Sequence, residues 1–357
     1  MLESRGVSRV SFASLALKVP SPYFDQSHFS QGHQLVKGML VASAPVDEKL
    51  RGIHAYVPSR QYSTTIRFML ISRRNAISLS TVAAASLAHR LEAADTASGV
   101  KGRINHSVCK WCYSKVPLED LCVAGKKMGL ASIELLGPND WPTLAKHGLT
   151  CAMASGVNVD GLGGIPRAFN RVEHHDKLVG AYEEFIAKAS AAGLKNVICF
   201  SGNRDGLPDD AGIENCAQGV KRLMSTCEKH KVTLVMELLN SKVNHKDYQC
   251  DKTAWGVALV DRVGSERFKL LYDIYHMQIM EGDVIATIRK YHPYFAHYHT
   301  GGVPGRAEID DTQELNYPAI MKAIVDTGFK GHVAQEFVPK RPDVLASLDQ
   351  GVKICDV

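Results

Sequence analysis

The sequence is organised around Lys269-Leu-Leu-Tyr-Asp-Ile-Tyr-His-Met-Gln278, in which a short apolar run ends in Asp273 and, three residues later, in His276. A carboxylate that closes a buried strand is unstable in an apolar interior unless a cation or a substrate lies beside it. Three other apolar runs end in the same way. Their last side chains are Glu237, His299 and Glu336. The shared pattern predicts neighbouring strands whose ends carry the chemistry.

From residue 100 onward, short apolar runs alternate with helical patterns, which is typical of repeated βα units and a parallel sheet. Helical stretches end at Gly129, Gly193 and Gly328, where a left-handed residue is easily accommodated. The predicted helices are 118–128, 141–147, 174–192, 213–230, 254–263, 284–291 and 317–327. The eight predicted strands are 103–107, 132–136, 150–154, 196–201, 233–238, 268–273, 295–299 and 332–337.

Eight βα units within 100–357 match a (β/α)8 TIM barrel in number and in length. The alternative is an open, doubly wound sheet. That fold normally has a glycine-rich phosphate turn after its first strand, and the Ser-Val-Cys-Lys-Trp-Cys sequence of 107–112 is not such a turn. We therefore expect one barrel domain.

The first 99 residues differ from the rest. Residues 1–68 show no sustained helical or strand period, and we expect them to be unstructured, with a misassigned start as one explanation. Residues 69–99 begin at Met69 with a basic segment containing Ser72-Arg73-Arg74 and continue through an Ala- and Ser-rich run to Ala88. These features resemble a twin-arginine export signal, whose apolar part is too short to remain as a membrane span. The expected location is therefore the periplasm, or the cytoplasm if the leader is not functional.

The charge distribution favours a small-molecule partner over a nucleic acid. Residues 1–99 carry 11 Lys+Arg and 6 Asp+Glu, so the formal charge of +5 leaves 31 of each kind after residue 99. A barrel without net positive charge lacks the basic surface that phosphate backbones require. All nine cysteines follow residue 100, and most lie in apolar patterns that predict buried free thiols. The lone pair Cys109 and Cys112 is interpreted in the same way.

In a barrel of this type, polar side chains at the carboxyl ends of strands face the active site. Glu237, Asp273, His299 and Glu336 would then converge on one side of the barrel mouth. Three carboxylates and an imidazole suit a divalent metal ion. Mg²⁺ and Mn²⁺ are the first expectations, with Co²⁺ and Zn²⁺ as alternatives.

Other polar residues near these strand ends are candidates for holding a substrate. His276 lies one turn beyond Asp273, and Arg306 follows a glycine-rich loop from which its guanidinium could grip a carboxylate or hydroxyls. Glu134 ends the second strand and is either a ligand at the barrel mouth or a hydrogen-bond partner of a neighbouring strand. Asn240, His245, Trp111 and Trp255 are further candidates for the pocket lining.

Several strings resemble the hydroxypyruvate isomerase branch of the xylose isomerase-like barrels, over roughly residues 102–340. The strings are Glu237-Leu-Leu-Asn240, Tyr272-Asp-Ile-Tyr-His-Met-Gln278-Ile-Met-Glu-Gly-Asp283, Pro304-Gly-Arg306-Ala-Glu308, Glu314-Leu-Asn-Tyr317 and Gln335-Glu336-Phe.

This resemblance implies an isomerase that moves a proton through an enediolate, most specifically from hydroxypyruvate to tartronate semialdehyde. It implies that Glu237 and Glu336 are metal ligands and also the acid and base. It makes Asp273 the third ligand and gives His276 and Arg306 the substrate oxygens. His299 replaces the glutamine that this branch usually has as the fourth ligand, as in the related ketose 3-epimerases. Members of the branch often form dimers or tetramers, so a homo-oligomer is a further expectation.

The alternatives are a ketose 3-epimerase or other sugar or polyol isomerase, an exported barrel without catalytic activity, and a phosphodiesterase of the abasic-site endonuclease type. A phosphodiesterase of that type would need more His and Asp ligands and a basic surface facing DNA, which the neutral barrel does not favour.

Overall fold

The computed structural model describes residues 99–357, and the predictions for 1–68 and nearly all of 69–99 lie outside the described residues. Within the described part, one parallel sheet has the strand order β2-β1-β7-β6-β5-β4-β3. The strands are β1 (Asn105–Cys109), β2 (Ser132–Glu134), β3 (Asn196–Cys199), β4 (Thr233–Leu238), β5 (Phe268–Asp273), β6 (Phe295–Thr300) and β7 (His332–Gln335).

The helices lie between these strands, as the βα pattern predicts. They are α1 (Leu118–Met128), α2 (Trp141–Lys146), α3 (His175–Ala191), α4 (Asp209–Lys221), α5 (Met224–His230), α6 (Thr253–Val263), α7 (Ile274–Met280), α8 (Val284–Tyr291), α9 (Tyr317–Asp326) and α10 (Val344–Cys355). Gly129, Gly193 and Gly328 all have positive φ, as expected at helix ends. In the described range, none of the helices is both long and apolar enough to cross a bilayer.

The predicted strand at 150–154, which lies between β2 and β3 in the chain, is irregular. The segment completes the ring of eight by bridging β2 and β3 without forming a regular strand. Leu135 N donates to Met153 O (2.9 Å), and Ala154 N donates to Asn196 O (3.0 Å). In the middle of the segment, side chains replace the backbone ladder. Ser132 Oγ accepts from Ala152 N at 2.8 Å, and Asn196 Nδ2 donates to Ala152 O at 2.9 Å. The predicted (β/α)8 barrel is thus confirmed, with an irregular eighth strand.

Two other differences from the predicted elements have local causes. The helix predicted over 213–230 is divided into α4 and α5, because Arg222 N and Leu223 N bond to carbonyls three residues back and tighten the chain there. Helix α10 (Val344–Cys355) was not among the predicted helices. Helix α7 was not predicted either. It starts directly at the end of β5, where Asp273 Oδ1 accepts a hydrogen bond from His276 N at 3.0 Å and caps the helix.

Period-two alternation along the strands separates two layers inside the barrel. Met153, Ile198, Val235 and Leu271 form an apolar cluster in the interior. Two residues beyond Val235 and Leu271, on the same strand faces, lie Glu237 and Asp273. The larger apolar core lies between the sheet and the helices. The apolar layer therefore supports a polar layer at the carboxyl ends of the strands.

Candidate active site

Four potential metal ligands converge at the carboxyl ends of β4 to β7. Glu237 lies on β4, Asp273 ends β5, His299 lies on β6 opposite Asp273, and Glu336 directly follows β7. Glu336 is held in register by its backbone N–H, which donates to Thr300 O at 3.2 Å. One ligand atom from each side chain lies within 4.8 Å of the others, and all four side chains are buried.

Several polar atoms of this cluster have no hydrogen bond within the described residues. They are Glu237 Oε1, His299 Nδ1 and His276 Nε2. His299 Nδ1 lies 3.3 Å from Glu237 Oε1 and 2.7 Å from Glu336 Oε2. Buried polar atoms are nearly always paired, so a convergent unpaired set indicates a missing partner. Carboxylate oxygens with one imidazole nitrogen fit a hard or borderline divalent cation.

The three carboxylates also repel one another electrostatically. Burial raises the pKa of Asp273 to about 8, and the charges of Glu336 and Glu237 add to this shift, although Arg306 opposes it. Burial and Glu336 likewise raise the pKa of Glu237 against the effect of His299. Burial acts in the same direction on Glu336, but Arg306 and His299 hold its pKa well below the usual range. A cation among the three groups would relieve this repulsion.

A second set of contacts fixes the orientation of His299. Its Nε2 lies 2.9 Å from Glu134 Oε1, the same oxygen that His297 Nε2 approaches at 2.7 Å. Ser107 Oγ donates to Glu134 Oε2 at 2.5 Å. Burial lowers the pKa of His299, but Cys109, Glu336 and Glu134 raise it well above the usual value, so without a cation both ring nitrogens carry protons. A cation among the carboxylates would replace the Nδ1 proton, while Nε2 still donates to Glu134. Burial raises the pKa of Glu134, but the charges and hydrogen bonds of His297 and His299 lower it well below its ordinary value.

Arg306 connects two of the candidate ligands. Its Nη2 donates to Asp273 Oδ2 (3.2 Å) and to Glu336 Oε2 (2.5 Å). Its guanidinium carbon lies 5.2 Å from the ring centres of both Trp111 and Tyr275, a cation–π arrangement. Trp111 Nε1 also donates to Glu336 Oε1 at 2.8 Å. Arg306 is therefore held rigidly at the edge of the cluster.

The loop that carries Arg306 is tightly turned. Arg306 has φ 54°, in the left-handed region, and its N–H donates to Gly302 O at 2.8 Å. At Gly302, an added Cβ would come within 2.2 Å of Glu308 O, so only glycine fits this turn. The glycine-rich sequence is thus explained by the close packing of this loop.

His276 is oriented by Asn240. The backbone N–H of Asn240 donates to His276 Nδ1 at 3.2 Å, which leaves Nε2 as the atom that carries the proton and faces Asp273 Oδ2 at 3.6 Å. Asn240 Oδ1 accepts from Val243 N and Asn244 N, so this amide is occupied by its own loop. Burial and Arg306 lower the pKa of His276 well below its usual value. His276 is thus a neutral donor beside the cluster.

A chamber of about 290 Å³ opens beside Glu237, Arg306 and Glu336. Trp111 and His245 line it, as the sequence suggested, whereas Trp255 lies on α6 and donates Nε1 to Asp209 O at 3.3 Å. The remaining lining comes from residues that follow β2, the segment 150–154, β3 and β4, and from β3 itself: Leu135, Ser155, Gly156, Ile165, Ile198, Phe200 and Leu239.

The structure brings six of the eight candidate site residues around one space: Glu237, Asp273, His299, Glu336, His276 and Arg306. Glu134 and Asn240 lie one layer behind, where protein groups occupy their polar atoms. Glu134 makes the cross-strand hydrogen bonds that were one of its two expected roles, and Asn240 orients His276. A substrate contact by either residue stays a prediction. Ser107, His297 and Tyr275 were missed. The spacing of His297 and His299 places both on one face of β6 and is a signal that could have identified His297.

Comparisons with known proteins agree with this architecture. The sequence model of the family described as "Xylose isomerase-like TIM barrel" matches residues 126–352. A 2-oxo-tetronate isomerase from Haemophilus influenzae is 27% identical over 251 residues, covering 66% of this chain and 93% of that protein. The solved structure of an AP endonuclease, family 2, from Brucella melitensis is similar at TM-score 0.60 and 25% identity, covering 69% of this chain and 96% of that one.

A human protein provisionally named hydroxypyruvate isomerase is 33% identical over 106 residues, which is 30% of this chain. The match spans 38% of the human protein, and the matches to mouse and Xenopus laevis relatives span 59% and 45% of those proteins. The chain thus matches less than two thirds of the length of these vertebrate relatives.

Proposed function

Because the chain belongs to the xylose isomerase-like TIM barrel family, we propose that it is a metal-dependent isomerase of a small hydroxy-carbonyl compound. The reaction class is proton transfer between two neighbouring carbons, one with a hydroxyl and one with a carbonyl. The observation that carries this proposal is the arrangement of Glu237 and Glu336. They lie on the two outer strand ends of a group of four, with Asp273 and His299 between them, and both border the chamber.

Two sets of contacts support the assignment of Glu237 and Glu336 as acid and base. Glu237 Oε1 is buried without a hydrogen bond in the described structure and is available to accept a proton from a substrate carbon. Both Glu336 oxygens have donors, Trp111 at Oε1 and Arg306 at Oε2, so Glu336 is held firmly opposite. One carboxylate removes the proton beside the carbonyl, and the other returns a proton to the neighbouring carbon. The hydroxyl proton moves to the former carbonyl oxygen, which balances the isomerisation.

The other residues hold the substrate in place. His276 offers its Nε2–H, and Arg306 offers a fixed guanidinium edge, to oxygens on the two reacting carbons. Glu237, Asp273, His299 and Glu336 would hold a divalent ion. When bound, that ion supplies positive charge beside the carbonyl oxygen, where negative charge develops. Mg²⁺ or Mn²⁺ suits the oxygen-rich ligands first, and Co²⁺ or Zn²⁺ is compatible with the imidazole.

The relatives' names favour hydroxypyruvate, which would give tartronate semialdehyde, as the first substrate to test. The second candidate is inversion of a ketose at carbon three, and His299 as the fourth ligand favours it. Both reactions begin with the same proton abstraction. The proposed partner is therefore a small hydroxy-keto acid or sugar.

The test is exchange of substrate C–H protons with deuterium from solvent, followed by NMR, with the full chain loaded with Mn²⁺ for catalysis and then freed of the paramagnetic ion before detection. Hydroxypyruvate, ketoses and inositol-type polyols form the substrate panel, and chelated protein is the control. Metal-dependent exchange with a member of the panel supports the proposal. Exchange with none of them by the metal-loaded protein would sink it and favour a binding function.

A further inference from the structure

The chamber beside Glu237 and Glu336 has mostly apolar walls. Ile198 and Leu239 are each 2% exposed, and Leu135, Ile165 and Phe200 are half-buried with surface facing the opening. Trp111, on the other side, is 45% exposed. Substrate atoms beyond the two reacting carbons must lie against these walls. A substrate hydroxyl placed there would lose water without gaining a partner.

Leu135 occupies its place in the wall with an unfavourable backbone conformation. Its φ is 59°, a region that a leucine rarely adopts and a glycine adopts freely. The backbone is fixed there by the hydrogen bond from Leu135 N to Met153 O at 2.9 Å. Residues held in such conformations cluster at functional sites. The backbone conformation at this position does not favour a large apolar side chain. Its presence is therefore a distinctive feature of the chamber wall.

The charges of the site are already balanced when a divalent ion is present. The three carboxylates of Glu237, Asp273 and Glu336 are matched by the ion together with Arg306. Within residues 99–357, Arg306 is the only Lys or Arg among the lining residues, and its Nη2 is already bonded to two of these carboxylates. Burial and Arg306 lower the pKa of His245, so this ring adds no charge at neutral pH. A substrate carboxylate would add a fourth negative charge to a site whose three carboxylates already match the positive charges of the ion and Arg306.

We propose that the natural substrate is an uncharged hydroxy-ketone whose end away from Glu237 and Glu336 is apolar, such as a 6-deoxyketose, and not a 2-oxo acid. This inference rests on the proposed function, because it takes the two glutamates as the reacting end of the chamber. The inferred substrate differs from those in the relatives' names, because it is argued from the charge and the apolar walls of this chain's own chamber.

The experiment uses two matched pairs of sugars that differ only in the hydroxyl of carbon six: L-rhamnulose with L-fructose, and L-fuculose with L-tagatose. Binding of each sugar and of hydroxypyruvate to the Mn²⁺-loaded full chain is measured by calorimetry. In at least one pair, we expect the deoxy sugar to bind about tenfold more tightly than its parent and than hydroxypyruvate. Hydroxypyruvate binding as tightly as the best sugar, equal binding within both pairs, or no binding by any sugar would overturn the inference.

Leu135→Gly supplies a second, independent readout. Glycine suits the positive φ, but the leucine side chain also packs against the interior cluster that contains Met153. We therefore expect the fold to be retained with a moderate fall in melting temperature. The preference for the deoxy sugar should fall to about twofold or less, whereas Val172→Ala, at an exposed position outside the chamber, should keep it. An unchanged preference in folded Leu135→Gly would contradict the role of this wall. Deuterium exchange distinguishes the two proposals. A preference for the deoxy sugar in binding without exchange of its protons would support the substrate class and contradict the isomerase activity.

Discussion

The Nε2 atom of His299 lies 2.9 Å from the Oε1 atom of Glu134, and both side chains are fully buried. The contact crosses 165 residues of sequence and determines which nitrogen of His299 faces the carboxylate cluster. An imidazole whose far nitrogen donates to a carboxylate is fixed in tautomer and is a stronger ligand.

The first prediction concerns Glu134. In Glu134→Gln the negative charge beside His299 is lost, so affinity for Mn²⁺ should fall about 10- to 100-fold. Calorimetry on the chelated and reloaded protein measures this directly. Glu119→Gln is the matched control, because Glu119 is exposed on α1 and pairs with Lys146. Equal affinity in the two variants would show that Glu134 does not orient the ligand.

The second prediction concerns the acid and the base. Glu237→Gln and Glu336→Gln should each lower turnover by about 10²- to 10⁴-fold, since each removes one proton-transfer group. The melting temperature without metal should not fall in Glu237→Gln, because burial and Glu336 raise the pKa of Glu237. It should fall in Glu336→Gln, because Arg306 loses a charged partner. Steady-state kinetics and thermal unfolding provide the two measurements. Near-normal turnover in either variant would refute the assignment of that glutamate.

The third prediction concerns removal of the metal. Chelation should lower the melting temperature of the full chain, because the ion binds the folded state and relieves carboxylate repulsion. At a free ion concentration of about 100 times Kd, the linkage is worth about 2.7 kcal/mol. This corresponds to roughly 5–10 °C for a domain of this size. Calorimetric scans with and without Mn²⁺ measure the shift, and Asp273→Asn should largely abolish it.

The fourth prediction concerns His332, at the start of β7 and far along the strand from Glu336. Burial and the neighbouring His297 lower the pKa of His332 to about 4, against the opposing effect of Glu134. The unfolded chain therefore takes up the proton first, near pH 6.5, and stability should fall as the pH drops from about 6.5 to 4. The loss should be roughly 2–3 kcal/mol.

His332→Gln should flatten this part of the stability profile, measured by urea unfolding at several pH values. At pH 7 and above, protonation of His332 no longer affects the free energy of unfolding. Any difference in stability between wild type and His332→Gln there reflects packing alone. A wild-type profile that is flat between pH 4 and 6.5 would exclude this buried neutral histidine as a source of acid sensitivity.

Much of the barrel was predictable because its strands are short apolar runs with distinct ends. The predicted strand 268–273 coincides with β5, and helices α1 and α8 have the predicted bounds. The irregular eighth strand was not predictable, since Ser132 and Asn196 interrupt its ladder from neighbouring strands. Helix α7 was missed because it has only seven residues and follows β5 without a connecting turn.

The convergence of the four candidate ligands was also predictable, because it depends only on strand order and strand ends. The position of Asn240 was not, and for Glu134 the sequence left two alternatives open. Whether a buried polar side chain faces a chamber or a protein partner depends on cross-strand contacts such as those of Glu134 with His297, 163 residues apart. The positive φ of Leu135 likewise has no signal in its residue type.

The bridging segment at 150–154 also has a consequence for how the barrel comes apart. Elsewhere the ring is closed by repeated backbone ladders, but at Ala152 it is closed by the side chains of Ser132 and Asn196. Amide hydrogens near Ala152 should therefore exchange with solvent before those of β4 to β6. On gentle heating the barrel should therefore open first along this line, while the ladders of β4 to β6 persist.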